Sequence, residues 1–271
     1  MKRFLLSILT MLLLPYLISC SDTTENGLRI DVLEVGKADC IVIRSNGKTI
    51  MIDTGEEENL PEIEAYLKAN RISVINYLIL SHYDKDHIGG AKKIISSYKV
   101  EVLMESSFVS DRIEYQAYHD AAKEKSTAVT KLENNTDLSI GDIFFSIYTP
   151  KETSYDKKED NNASLIVSLK YKNHSFLFCG DALDDRMDEI LGEDLGQFNL
   201  VKLPHHGSFL NRYDEILTTF ACTDVIITDS DKNPADEKLL DLLTKKKIGC
   251  YETRYGTVSV VSDGNNISIN Q

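Results

Sequence analysis

The sequence predicts an α/β protein in which two β-sheets pack face to face and helices cover their outer sides. Short apolar runs typical of strands recur in both halves of the chain, and turns such as Ser45-Asn46-Gly47 join some of them into hairpins. Runs with helical spacing, such as Leu60–Ala69, lie between the strands. The chain has 271 residues, of which 42% are hydrophobic, and no composition break follows residue 27. One substantial domain with its own core is therefore expected.

The individual elements follow in chain order. In the first half, strands are predicted at 28–35, 39–44, 48–53, 75–80 and 100–104, and helices at 60–69, 88–98 and 111–125. Residues 126–137 are polar and predict a loop or a hairpin. In the second half, strands are predicted at 143–148, 164–171, 175–179, 200–203, 225–228, 250–251, 257–261 and 267–269, and helices at 183–191 and 236–246.

The N-terminal segment has the pattern of an export signal. Two basic residues precede the apolar run Phe4–Ile18, which is shorter than the roughly 20 residues that span a bilayer. Leu17-Ile18-Ser19-Cys20 resembles a bacterial lipobox, which implies removal of residues 1–19 and lipidation of Cys20. An ordinary signal peptide or an uncleaved anchor is the alternative. Residues 20–27 would form a polar tether, so the domain 28–271 is predicted to be exported and anchored to a membrane of the bacterial envelope.

The charge of the chain limits its partners. A formal net charge of −13 repels polyanions at long range, so no stable complex with nucleic acid is expected. Nucleic acid remains open as a substrate, because bound metal ions can invert the field locally.

Four cysteines follow the tether at wide spacing: Cys40, Cys179, Cys222 and Cys250. They lie in or beside apolar runs and form no Cys-x-x-Cys pair, so buried free thiols are predicted and a cysteine zinc site is not. Their even number in an exported chain also permits disulfides.

The densest group of potential metal ligands directly follows a predicted strand. Ser81–Gly90 reads Ser-His-Tyr-Asp-Lys-Asp-His-Ile-Gly-Gly. A loop that leaves a strand can turn His82 and Asp84 toward one point and Asp86 and His87 toward a neighbouring one. Imidazole and carboxylate ligands suit zinc, iron or manganese. The alternative is a polar loop in which Asp86 only caps the next helix.

Two further strands end in similar residues. Asp181 follows Phe178-Cys179-Gly180, and the pair His205 and His206 stands within Lys202–Ser208. Alone, Asp181 would more often cap the following helix. Three strand-end clusters of histidine and aspartate, in a chain with six histidines, favour a metal centre.

These motifs together resemble the metallo-β-lactamase superfamily. The resemblance rests on His-x-Asp-x-Asp-His with Gly-Gly after it, then Gly-Asp, then Pro-His-His-Gly-Ser. Asp84 stands where most members carry histidine, and this variant resembles the hydrolase domain of the competence protein ComEC. The stretches 31–40, 48–55, 162–165 and 253–258 match shorter motifs of that family. The membrane channel of ComEC has no counterpart here, so DNA uptake is not implied.

The resemblance implies a four-layer αβ/βα sandwich with two divalent metal ions at one edge. Zinc fits the ligands best, and manganese and iron are alternatives. The implied ligands are His82 and Asp84 for the first ion, Asp86 and His87 for the second, Asp181 as the bridge, and His206. Most members add a third histidine to the first ion. The candidates here, His119 and His174, are expected to be exposed, so the first site is expected to be the weaker one.

The implied activity is that of a hydrolase that attacks its substrate with a metal-activated hydroxide. Asp86, or another carboxylate behind the metal ligands, would orient the water. His205 would protonate the leaving oxygen, although His205 and His206 could exchange roles. Asn162 and Ser208 are predicted substrate contacts. Phosphodiester hydrolysis, as by a nuclease, is the leading hypothesis by analogy. The alternatives are a phosphoesterase acting on envelope polymers or small phosphoesters, and a metal-binding module without turnover.

Overall fold

The computed structural model describes residues 27–152, 154–155 and 159–271, the side chains of residues 159 and 160 excepted. The predicted export signal, the lipidation of Cys20 and nearly all of the tether lie outside the described residues, so they stay predictions. No helix in the described part of the chain is long and apolar enough to cross a membrane.

The strands of the described residues form two mixed sheets. The first sheet has eight strands in the order β15-β14-β1-β2-β3-β4-β5-β6, and the second has seven in the order β13-β12-β11-β10-β9-β8-β7. The strands are β1 (Leu28–Val32), β2 (Ile41–Ser45), β3 (Lys48–Ile52), β4 (Val74–Leu80), β5 (Lys99–Ser106), β6 (Ala128–Leu132), β7 (Thr136–Ile140), β8 (Ile143–Tyr148), β9 (Ile166–Tyr171), β10 (His174–Phe178), β11 (Leu200–Lys202), β12 (Asp224–Ile227), β13 (Gly249–Glu252), β14 (Val258–Ser262) and β15 (Ile267–Asn270).

Helices lie between the strands in both halves. They are α1 (Leu60–Ala69), α2 (Lys85–Ile88), α3 (Ala91–Ser97), α4 (Ile113–Lys125), α5 (Glu159–Asn162), α6 (Asp184–Leu191), α7 (Tyr213–Phe220) and α8 (Glu237–Lys246). Strands β3 to β6 pair in parallel in the first sheet, as β10 to β13 do in the second. Parallel neighbours need crossover connections, which most of these helices provide.

Three apolar clusters separate four layers. One cluster joins the facing sides of the two sheets, with Ile43 of β2 and Phe176 of β10 among its fully buried members. A second packs helices α1, α3 and α4 on the first sheet, and a third packs α6, α7 and α8 on the second sheet. This arrangement confirms the predicted α/β sandwich.

The polar stretch 126–137 is neither a loop nor a hairpin. Its first part is β6, which pairs in parallel with β5 at the edge of the first sheet. Its second part begins β7, which lies at the edge of the second sheet. The prediction was wrong because edge strands keep polar side chains in solvent, and four of the five residues of β6 are exposed.

Two helical regions also differ from prediction. The helix expected at 88–98 is divided into α2 and α3, and α2 begins inside the ligand motif, at Lys85. Helix α7 was not predicted, yet its face of Tyr213, Ile216, Leu217 and Phe220 is buried against the second sheet. The free thiols are as predicted for Cys40, Cys179 and Cys222, which are buried, whereas Cys250 is exposed.

The strand directions explain where polar residues gather. Asp53 follows β3, and Ser81 and His82 follow β4, so these side chains leave the first sheet at one edge. Asp181 follows β10 and His206 follows β11, so they leave the second sheet at the end of two parallel strands. Because the sheets face each other, the two groups meet at one edge of the sandwich.

Candidate metal centre

Four predicted ligands converge at this edge. Single donor atoms of Asp86, His87, Asp181 and His206 all lie within 4.8 Å of one another, and the last three residues are buried. Asp181 lies between the histidines, with its two oxygens 3.2 Å from Nε2 of His87 and 3.1 Å from Nε2 of His206. Asp86 Oδ2 is 3.3 Å from Nε2 of His206. We call these four residues the inner cluster.

The histidines of the inner cluster are oriented by groups behind them. His87 Nδ1 is 2.8 Å from Asp53 Oδ2, and both side chains are fully buried. His206 Nδ1 lies 3.1 Å from the backbone oxygen of Thr228 and 3.0 Å from its hydroxyl oxygen. Acceptors at Nδ1 assign the ring proton to that nitrogen. Both Nε2 atoms are then left as electron-pair donors that face the cluster.

His82 is oriented in the same way, outside the inner cluster. Its ring centroid is 4.0 Å from that of His87. The hydroxyl of Ser81 donates to Asp53 Oδ2 at 2.6 Å. Its oxygen can therefore accept a hydrogen bond from His82 Nδ1 at 3.0 Å. His82 Nε2 is buried and has no hydrogen-bond partner among the described residues. Asp84 Oδ2 lies 3.9 Å from this atom.

These observations test whether the residues fit a metal ion, and they do. The Nε2 atoms of His87 and His206 are 3.4 Å apart, so two lone pairs would face each other unless a cation or a proton lies between them. The buried Asp181 Oδ1 makes no hydrogen bond within the described structure. Leaving buried polar atoms unsatisfied is costly, and two imidazoles with two carboxylates form a donor set that suits divalent zinc, manganese or iron.

The electrostatics of the protein without ions lead to the same conclusion. Burial disfavours protonation of His87, yet Asp181 and Asp53 outweigh it and raise the pKa of His87 well above its usual value. Burial would also raise the pKa of Asp181, but His206 and His87 lower it well below its usual value. For His82, burial and then the neighbouring His87 lower the pKa, so this ring is neutral. A buried carboxylate cluster of this kind is stabilised by positive charge, as protons or as metal ions.

A buried ion pair supports the inner cluster from behind. Lys202 and Asp39 are both fully buried and form an ion pair, and Lys202 Nζ also lies 3.3 Å from the backbone oxygen of Gly180. Burial raises the pKa of Asp39, but Lys202 outweighs it and keeps the carboxyl ionised. The hydroxyl of Thr228 donates to Asp39 Oδ1 at 2.6 Å. Asp39 thus fixes the residue that orients His206.

Asp39, Asp53 and His87 also have donor atoms within 4.8 Å of one another. We interpret this group as a support of the inner cluster and not as a second metal site. Both oxygens of Asp39 already accept hydrogen bonds, from Lys202 and from Thr228. Asp53 in turn accepts from the backbone and hydroxyl of Ser81.

The turn that carries the paired histidines has an unusual backbone. His205, His206 and Gly207 have φ angles of 50°, 53° and 72°, all in the left-handed region. Such a conformation is unfavourable for histidine, and its occurrence next to a candidate ligand is typical of functional sites. A Cβ on Gly207 would lie 2.8 Å from Ile227 Cγ2, so only glycine fits there. Gly180, with φ 53°, similarly allows Asp181 to approach from β10.

The remaining predicted residues lie around this centre. Asp84 is partly exposed and accepts a hydrogen bond from Arg112, which the sequence did not identify. His205 is partly buried, with its ring centroid 6.4 Å from that of His206. Asn162 is buried, and its oxygen accepts from the backbone of Leu183 at the start of α6. Ser208, partly buried, follows the histidine turn. The roles of these residues stay predictions.

The two other histidines differ from each other in burial. His174 is buried at the start of β10, with Nδ1 2.7 Å from the hydroxyl of Ser262, so the expected exposure was wrong. His119 is partly exposed, and its Nε2 lies 3.2 Å from the buried carboxylate of Glu105. Neither belongs to a group of donor atoms that could hold a metal ion within the described residues.

One family profile and two known proteins are similar to the chain in sequence. The sequence profile of the Metallo-beta-lactamase superfamily matches residues 33–218. ComE operon protein 3 of Bacillus subtilis is 25% identical over 267 residues, which cover 85% of this chain and 34% of that protein. Recombination protein 2 of Haemophilus influenzae is 28% identical over 211 residues, which cover 76% of this chain and 25% of that protein. The chain thus spans about a third and a quarter of these relatives.

Solved structures share the fold at lower identity. The metallo-β-lactamase fold protein YhfI from Bacillus subtilis matches with a TM-score of 0.58 and 11% identity, over 90% of this chain and 100% of that one. A metallo-hydrolase from the archaeon Ignicoccus hospitalis matches with a TM-score of 0.54 and 15% identity, over 85% and 98%. A diiron β-hydroxylase from Streptomyces venezuelae matches with a TM-score of 0.55 and 14% identity, over 86% and 53%.

Proposed function

The chain belongs to the metallo-β-lactamase superfamily of metal-dependent hydrolases, and we propose that it hydrolyses phosphodiesters. The observation that carries this proposal is the orientation of three buried histidines. Ser81, Asp53 and Thr228 face the Nδ1 atoms of His82, His87 and His206, respectively, so that all three Nε2 atoms are available as ligands. A purely structural cluster has no need of three aligned electron-pair donors beside Asp181.

We assign the inner cluster to one divalent ion, and His82 and Asp84, with Asp181 shared, to a second. When bound, such ions supply a nucleophile by lowering the pKa of water and polarise the attacked phosphoryl oxygen. Zinc is our first choice for both positions and manganese or iron the alternatives. The inner position should be the tighter one, because its four donors lie close together and three of them are buried.

The side chains of the protein have separate tasks in this proposal. Asp181 places its two oxygens toward both histidines of the inner cluster and sets their spacing. Asp86, partly exposed beside His206, can accept a hydrogen bond from the attacking water and orient it. His205 stands at the outer side of the same turn and is the proposed donor of a proton to the leaving oxygen. Burial of the inner cluster excludes bulk water, which strengthens each of these electrostatic interactions.

The choice of a phosphodiester is supported by the similar sequences. The name of the Haemophilus relative associates that protein with recombination, a process that acts on nucleic acid. Since the chain covers a quarter to a third of these relatives, their whole activity is not transferred to it. The net charge of −13 favours short or small phosphoesters over long polyanions, which makes an envelope phosphoester the second candidate.

The test is a substrate screen on the purified chain with Zn²⁺, Mn²⁺ or Fe²⁺. We expect hydrolysis of bis-p-nitrophenyl phosphate and of single-stranded DNA, and little hydrolysis of p-nitrophenyl acetate. Loss of activity with a chelator and its return with the metal should accompany this result. A protein that binds metal but cleaves none of the substrates would indicate a binding module without turnover.

The location of the protein is a separate proposal. We propose that the chain is exported and attached to a membrane of the envelope through a lipid on Cys20, because residues 17–20 resemble a lipobox. Cys20→Ala should move the protein out of the membrane fraction or leave it unprocessed. A variant that migrates and fractionates like the wild type would show that the lipid anchor is absent.

A further inference from the structure

An arginine that the sequence did not single out contacts a candidate metal ligand. Arg112 is the residue before α4, and its guanidinium donates a hydrogen bond to Asp84 Oδ1. The Arg112 side chain is 37% exposed and that of Asp84 is 24% exposed, so this ion pair lies between the buried cluster and solvent. Both side chains of the pair are thus accessible to solvent beside a candidate ligand.

A buried tyrosine of the ligand motif joins the loop of Asp84 to the segment that contains Arg112. Tyr83 lies between His82 and Asp84 in sequence and is fully buried. Its hydroxyl donates to the backbone oxygen of Ser106 at 2.6 Å, and its ring contacts Tyr115 of α4 edge-on at 4.9 Å. The loop with the candidate ligands is therefore tied to the connection between β5 and α4. Arg112, which directly precedes α4, lies in the segment that this packing holds beside Asp84.

Arg112 contacts a candidate metal ligand from the solvent side, whereas two other cations of the region contact other groups. Lys202 is fully buried and is held by Asp39 and the backbone of Gly180. Lys85 pairs with Glu56 at 2.9 Å. In a chain with a net charge of −13, an anionic substrate approaches against the overall field and needs a local positive charge. A partly exposed guanidinium beside the candidate ligands supplies it.

We infer that Arg112 is a substrate-binding residue that selects anionic phosphodiesters over neutral esters, an inference that rests on the proposed function. The planar guanidinium matches the oxygens of a carboxylate and of a phosphoryl group equally well. The non-bridging oxygens of the substrate replace Asp84 Oδ1 as the acceptor for Arg112. The other oxygen, Asp84 Oδ2, lies 3.9 Å from His82 Nε2.

The test uses the full chain loaded with Mn²⁺ and two inert probes that differ in charge. Dimethyl phosphate is a phosphodiester anion, and trimethyl phosphate is its neutral counterpart. Binding is measured from the relaxation that bound Mn²⁺ causes in the ³¹P signal. Arg112→Gln should weaken binding of dimethyl phosphate about tenfold or more, whereas binding of trimethyl phosphate should stay within about twofold. Arg112→Lys should retain part of the preference for the anion.

A matched control separates a local effect from a change in net charge. Lys123→Gln removes an exposed cation from the same helix, α4, and should leave binding of both probes unchanged. The Mn²⁺ content of each variant is measured in the same samples. With bis-p-nitrophenyl phosphate, Arg112→Gln should raise KM much more than it lowers kcat, because the contact is made already in the bound substrate.

The outcomes distinguish this inference from the proposed function. If Arg112→Gln binds dimethyl phosphate within twofold of the wild type, or weakens both probes equally, Arg112 does not select the anion. If the variant loses Mn²⁺, and kcat falls at constant KM, Arg112 only positions Asp84, and the inference is wrong. A wild-type chain that binds no Mn²⁺, or cleaves no phosphodiester, contradicts the proposed function and this inference with it.

Discussion

The two halves of the candidate metal centre differ in burial and in support. In the inner cluster, His87 and His206 are fully buried, and each is oriented by a group that is buried as well. In the outer pair, His82 is buried, but Asp84 is partly exposed and contacts Arg112. The comparison teaches that buried groups orient both histidines of one half, whereas the other half includes a partly exposed carboxylate that shares an oxygen with an arginine.

The largest effect is expected where the two halves meet. Asp181→Asn removes the charge shared by both proposed sites, so both ions should bind more weakly and hydrolysis should fall roughly 10³-fold, or about 4 kcal/mol of transition-state stabilisation. Turnover of bis-p-nitrophenyl phosphate and circular dichroism are the measurements. Asp185→Asn, an exposed neighbour at the start of α6, is the matched control. Activity within about threefold of the wild type in Asp181→Asn would refute the assignment of this residue.

A smaller effect is expected from the group behind the inner cluster. Asp53→Asn leaves all proposed ligands in place but weakens the orientation of His87, which lies 2.8 Å from Asp53. Affinity for the tighter ion should fall about 10- to 100-fold. Metal titration followed by calorimetry measures this, and the exposed Asp142→Asn serves as the control. An unchanged affinity would mean that His87 needs no support from Asp53.

Chelators of increasing strength should remove the two ions one after the other. Mild chelation should leave one ion per chain, and a stronger chelator should remove it with a drop in melting temperature. At 100 times the dissociation constant, a ligand stabilises the fold by about 2.7 kcal/mol. Metal analysis and thermal unfolding after each step test this order. Loss of both ions together, or no change in melting temperature, would remove the distinction between the halves.

The smallest effect is expected at the exposed end of the outer pair. Asp84→Asn should weaken the second ion by about tenfold, because one charged ligand is lost from a site that has few. The first ion should bind within about twofold of the wild-type affinity, since Asp84 does not belong to the inner cluster. Calorimetric titration measures the affinity of each of the two sites. Equal loss at both sites would show that the centre acts as one unit.

The sequence was sufficient for the fold and for the convergence of the inner cluster. Strand ends with His and Asp could be recognised because parallel strands bring their carboxyl ends to one edge. The supporting residues Ser81, Thr228 and Lys202 could not be identified, since their roles arise only when the two sheets are packed together. Arg112 was missed for the same reason. His174 stands in a Lys-Asn-His-Ser stretch typical of a turn, yet its ring is buried against Ser262 of β14.

The seam between the sheets runs through the metal centre. His82, Asp86 and His87 follow β4 of the first sheet, while Asp181 and His206 follow strands of the second. Neither half of the chain therefore contains a complete site, and a bound ion would cross-link segments about a hundred residues apart in sequence. The complete set of donors therefore forms only when both halves have folded and docked. If the chain is exported unfolded, its metal is then determined by what the envelope offers and not by the pool of the cytoplasm.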